Sequence, residues 1–139
     1  MRRLIVLTAL GLCACGGEDK NPNAPVAKPD VAGNFAQPID ARGGEPAWGL
    51  TIRGTQLRLS RPNEPDLAGA APGAEIKPHA ASWTAALPDG RAMKVSLYAS
   101  PCTEPATGVT YPFAAEVQLP GAAPLDGCGG PPARPPASR

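Results

Sequence analysis

Between Trp48 and Leu119 apolar residues recur at every second position, and this period leaves the chain few folds. Trp48-Gly49-Leu50-Thr51-Ile52-Arg53 alternates apolar and polar, and after Gly54-Thr55 the run Gln56-Leu57-Arg58-Leu59-Ser60 alternates again. Successive side chains of a strand point to opposite faces, so Trp48, Leu50 and Ile52 share one face, as do Leu57 and Leu59. Gly54 supplies the freedom a tight turn needs, and the segment reads as a hairpin. A second hairpin follows in Trp83-Thr84-Ala85-Ala86-Leu87, the turn Pro88-Asp89-Gly90, and Met93-Lys94-Val95-Ser96-Leu97-Tyr98. A last strand starts at Tyr111 and places Tyr111, Phe113, Ala115, Val117 and Leu119 on one side. No helical pattern of comparable length competes.

The fold class that follows is all-β or mostly β. An antiparallel sheet of about five or more strands, each with one apolar face, curls into a small barrel or half-barrel because closure removes exposed edges. Residues 62–78 connect the hairpins. They are rich in Ala, Gly and Pro, with room for a short helical turn and no expected site.

The N-terminus reads as an export address. Met1-Arg2-Arg3 is a short positive segment, and the apolar run from Leu4 to Leu12 is about nine residues long, against the roughly 20 that a helix needs to span a bilayer. Leu12-Cys13-Ala14-Cys15 is similar to the lipobox of bacterial lipoproteins, which implies removal of residues 1–14 and lipidation of Cys15. Cys13 does not fit the modified position, because bulky Leu12 would precede it. Several acyl chains at Cys15 suffice for stable anchoring, each buried methylene contributing about 0.8 kcal/mol. Gly16 and Gly17 follow, without the Asp that resembles an inner-membrane retention signal, so the expected location is the periplasmic face of the outer membrane.

Of four cysteines, Cys13 leaves with the signal and Cys15 carries lipid, so Cys102 and Cys128 remain as an even pair. In an oxidising compartment such a pair forms a disulfide, and none of the close spacing of a redox-active C-x-x-C is present. Closing this loop stabilises a small domain by roughly 3 to 4 kcal/mol. Many of the 19 prolines crowd the two ends. Residues 15–40 therefore read as a flexible, Pro-rich tether, 41–128 as the disulfide-closed β domain, and 129–139 as a disordered tail.

Charge and side-chain inventory exclude several functions. Without Arg2 and Arg3 the 13 basic residues fall to 11, against 12 acidic ones, so no basic stripe marks a nucleic-acid partner. His79 is the sole histidine, in the loop-like Lys77-Pro78-His79-Ala80, and no nucleophile elbow accompanies it. Zinc needs three or four convergent ligands, and too few remain once the bridge takes two cysteines. Glu45 and Glu104 can approach the disulfide end of the barrel but read as solvated surface glutamates. Gly43-Gly44 and Gly127-Cys128-Gly129-Gly130 read as turns, and Trp48 and Trp83 as core residues. No catalytic residue, metal or cofactor is expected.

The segments Gly44-Glu45-Pro46-Ala47-Trp48-Gly49-Leu50-Thr51-Ile52, Cys102, Tyr111-Pro112-Phe113 and Leu125-Asp126-Gly127-Cys128 together resemble a group of proteobacterial envelope lipoproteins. Members of that group carry Glu-Pro-Phe-Trp, a cysteine followed by an acidic Asp-Gly-Met-Ser-Asp loop leading into Tyr-Pro, and a closing Gly-Cys. The resemblance spans residues 41–128 and singles out Glu45, Pro46, Trp48, Tyr111, Pro112 and Gly127 as framework. Small META-like β lipoproteins and inhibitors of C-type lysozyme are looser analogies of size and address. Two departures stand out: Ala47 replaces Phe, and Thr103-Glu104-Pro105-Ala106-Thr107-Gly108 replaces the acidic loop, which implies an altered role there. The resemblance brings no activity with it.

The function expected from these features is that of a membrane-anchored periplasmic lipoprotein acting as a non-catalytic binding or scaffolding module. Its expected partners are the membrane, through the lipid, and an envelope protein. Two alternatives are an inhibitor or sensor that captures a lysozyme-like enzyme through the loop at 103–110, and a carrier of a small ligand inside the barrel.

Overall fold

A computed structural model describes residues 31–133 of the chain. The expected signal segment with Cys13, the expected lipidation position Cys15, the part of the expected tether up to residue 30 and the expected tail from residue 134 lie outside the described residues. One short helix, α1 (Val31–Ala36), precedes the strands β1 (Ile39–Gly44), β2 (Ala47–Arg53), β3 (Gln56–Ser60), β4 (Leu67–Ala70), β5 (Glu75–Lys77), β6 (Ala80–Ala86), β7 (Ala92–Tyr98), β8 (Cys102–Thr103), β9 (Thr110–Tyr111), β10 (Phe113–Gln118) and β11 (Leu125–Gly130).

Eight strands form a closed antiparallel barrel in the order β4-β3-β2-β1-β11-β10-β7-β6, and β6 returns to β4 where Ala70 lies opposite Ala86. The other half of β6 is covered by β5, with Lys77 opposite Ala80 and Glu75 opposite Ser82. The 62–78 connection thus supplies two strands where at most a helical turn was expected. It is drawn into the sheet because β3 and β6 would otherwise present open edges.

Both expected hairpins form. Gly54 turns β2 into β3 at φ 61°, and Gly90 turns β6 into β7 at φ 84°, a region where a side chain would be strained. Period two carries through: Trp48, Leu50, Ile52, Leu57, Leu59, Trp83, Ala85, Met93, Val95, Leu97, Ala115 and Val117 all point inward and are buried. They fill the barrel. Outside, Arg58 and Ser60 hold the Asp66 carboxyl below the usual carboxylate range, as the Arg91 backbone and side chain do for Asp89. Such exposed pairs contribute little to stability.

The N-terminal boundary lies earlier than residue 41. Phe35 of α1 is buried at one end of the barrel, its ring 4.8 Å from Phe113 and 6.5 Å, edge on, from Trp83. Ile39 and Ala41 are core residues of β1. Residues 31–40 are therefore part of the domain, because a barrel this narrow leaves an open end that an aromatic side chain can plug. At the other boundary β11 runs on through Gly129 and Gly130. No helix among the described residues is long and apolar enough to cross a membrane.

A cleft between a disulfide-held flap and the barrel wall

The last expected strand is divided in two by Pro112. Phe113, Ala115, Val117 and Leu119 do line the core, but Tyr111 belongs to a separate two-stranded flap in which Cys102 lies opposite Tyr111 and Thr103 opposite Thr110. The flap is knit locally. Thr103 Oγ1 and Thr110 Oγ1 share a hydrogen bond of 2.9 Å, the Glu104 N–H donates to the Val109 carbonyl at 2.9 Å, and the Gly108 N–H donates to the Glu104 carbonyl at 2.8 Å.

The Cys102–Cys128 disulfide folds this flap back onto the outside of the barrel, closing a sequence separation of 26 residues. Cys128 points outward from β11, and the flap buries it. Next along the strand, Gly130 leaves room for Pro112: a Cβ there would meet the Pro112 ring at 2.9 Å. The glycines read as turns in the sequence are thus strand residues. They let flap and wall approach on one face and a tryptophan approach on the other.

That tryptophan is Trp48. Its indole lies across the inner side of Gly43 and Gly127, and Nε1 donates to the Asp126 carbonyl at 3.3 Å. A Cβ on Gly43 would collide with Nε1, and one on Gly127 with the Arg42 carbonyl and the indole. Overpacking of this kind costs about 1 to 3 kcal/mol. Gly127→Ala is expected to lower stability by that amount in a urea melt. Gly44→Ala, where nothing lies within 4 Å of the added carbon, is expected to stay within about 0.5 kcal/mol. Equal effects would contradict this packing.

Between flap and wall lies a cleft of about 420 Å³, lined by residues 42–45 of β1 and its turn, 104–106 of the flap, and 126–128 of β11. Arg42 lies with its guanidinium carbon 5.7 Å from the centre of the Tyr111 ring. Glu104 is buried, only 9% exposed, and its Oε2 accepts a 2.7 Å hydrogen bond from Thr107 Oγ1. Glu45 is exposed, as expected, whereas Glu104 is not the solvated glutamate its sequence context suggests, because the flap folds over it. None of Arg42, Glu45, Glu104 and Asp126 forms an ion pair with another described residue.

The framework residues converge here. Glu45 and Gly127 line the cleft, Trp48 backs its wall, Pro46 lies in the β1–β2 turn, and Tyr111 and Pro112 form the root of the flap. Arg42 and Asp126 complete the lining and were not anticipated as a site. The readable signal for them was adjacency, since Asp126 stands two residues before a bridged cysteine and Arg42 three before Glu45. His79 lies elsewhere, exposed in the β5–β6 turn, with its carbonyl accepting the Ala99 N–H at 2.8 Å.

The lining offers carboxylates, one guanidinium, backbone and a disulfide, without a hydroxyl, imidazole or free thiol. Among the described residues no group of three or more His, Cys, Asp and Glu is placed to hold a metal ion. These features define a disulfide-braced, eight-stranded antiparallel barrel with a charged cleft on its outer wall. Compared with family models, with curated proteins and with solved structures, the chain matches none.

Proposed function

We propose that this chain is an envelope lipoprotein, lipidated at Cys15 and facing the periplasm from the outer membrane, whose barrel is a non-catalytic binding module. The observation that carries the reading is the flap-and-wall cleft. It is concave, preformed, braced covalently, and rimmed by charges that no other described residue pairs. Clefts of about 300 Å³ and above with a few convergent polar groups are the usual form of a binding site. A carrier function inside the barrel is disfavoured, because buried side chains occupy the interior. Loop insertion into an enzyme would instead use the exposed side of the flap at residues 105–110, where Val109 is the exposed apolar side chain.

Two measurements test the reading. Palmitate labelling is expected in cells expressing the chain and absent in Cys15→Ala; label persisting in that variant would remove the anchor assignment. A photo-crosslinking residue at position 106, inside the cleft, is expected to give adducts with an envelope component, whereas the same residue at position 94, on the outer face of β7, gives none. Position-independent adducts, or none at 106, would defeat the cleft as the binding surface.

A further inference from the structure

We infer that the cleft binds a free amino acid or a short free peptide, which carries both an ammonium and a carboxylate group. This rests on the cleft being the binding surface. The starting point is an arrangement that is unusual within so small a space. Three carboxylates and one guanidinium line the same cleft of about 420 Å³, yet Arg42 pairs with none of Glu45, Glu104 and Asp126 within 4 Å. Elsewhere on the domain opposite charges do find each other, as Arg53 does Asp40 at 2.6 Å and Arg58 does Asp66 at 2.8 Å. Here they do not.

Two of the four groups have a partner of another kind. Arg42 has its guanidinium carbon 5.7 Å from the centre of the Tyr111 ring at the flap root, within cation–π reach, a contact that leaves its N–H donors available. Glu104 is fixed by Thr107 through one oxygen, within a loop closed by the 104–108 and 104–109 backbone hydrogen bonds. Charges of both signs that no other described residue pairs, set across a concave space, complement a ligand with both signs. A guanidinium matches a carboxylate through parallel hydrogen bonds, and an ammonium's three donors match carboxylate oxygens. The excess of carboxylates adds a preference for a further cationic side chain. The volume, near the low end for ligand clefts, limits the occupant to a few residues.

The test uses the purified full chain and three probes in calorimetric titrations at pH 7: dialanine, N-acetyl-dialanine, which lacks the ammonium, and dialanine amide, which lacks the carboxylate. Dialanine is expected to bind about tenfold or more tightly than either capped form. Its affinity is expected to weaken as pH rises through about 8, where the free amino group loses its proton. Arg42→Gln, at an exposed position, is expected to remove the preference over the amide and keep that over the acetylated form. Glu104→Gln, which retains an oxygen for Thr107, is expected to do the reverse.

Equal binding of the three probes, or binding of none, overturns the inference. If position 106 still gives envelope adducts in that case, the cleft reading survives and the zwitterion reading alone fails. If the adducts are absent as well, both fail.

Discussion

Replacing Cys102 and Cys128 together by serine is expected to lower stability by about 3.5 kcal/mol, the chain-entropy value for a loop of this length. In a domain of about 100 ordered residues that corresponds to a fall in melting temperature of roughly 15 to 25 °C. The loss has a local signature as well. Without the bridge the flap keeps its short β8–β9 ladder and internal hydrogen bonds, but only non-covalent contacts, such as those with Arg42 and Gly130, tie it to the barrel. Hydrogen exchange at residues 103–110 is therefore expected to accelerate before exchange in β2 and β3, whose side chains sit in the core. Uniform acceleration would mean that the flap and barrel unfold as one unit. A loss below 1 kcal/mol would mean that the bridge braces the flap alone.

Phe35→Ala is expected to cost about 3 to 5 kcal/mol, the range for removing a buried aromatic ring. The ring is 3% exposed and meets Phe113 and Trp83, so its removal leaves a cavity at the barrel's end that α1 cannot refill. Tryptophan fluorescence is expected to shift to the red as Trp83 gains water, while dialanine titration stays unchanged, because Phe35 does not line the cleft. Stability within 1 kcal/mol of the parent would mean that α1 is not part of the folded unit. The measurement separates two roles that a truncation at residue 41, the boundary the sequence suggests, would confound.

What the sequence reveals and what it hides divide along a physical line. β2, β3, β6, β7 and most of β10 carry large apolar residues at alternate positions, so their existence, facing and turns are legible residue by residue. β1 and β11 are not. Arg42-Gly43-Gly44 and Gly127-Cys128-Gly129-Gly130 have too few side chains to show an alternation, and the space inside Gly43 and Gly127 is filled by Trp48, from another strand. β4 and β5 are short and largely small or exposed, and only barrel closure places them in the sheet. Phe35 is one aromatic in a proline-flanked stretch without period, so nothing local marks it as a plug.

The site divides in the same way. The resemblance drew attention to Glu45, Tyr111, Pro112 and Gly127, and counting cysteines paired Cys102 with Cys128. The cleft itself exists only because the bridge lays the flap over β1 and β11. That relation joins residues 42–45, 104–106 and 126–128, far apart in the chain. Burial of Glu104 and the placing of Tyr111 beside Arg42 follow from that folding back, so no window of sequence contains them.

β1 has one further consequence. It begins at Ile39, directly after α1 and the chain that leads to it, and it ends at Gly44, beside the lining residues Arg42 and Glu45. Tension between an object held in the cleft and an anchor at the N-terminus would run along the covalent backbone of this single strand. The hydrogen bonds to β2 and β11 on either side would be loaded in parallel, as a shear, and would not be peeled one at a time. In a chain held at its N-terminus, α1 would be the element lying between the point of attachment and the sheet.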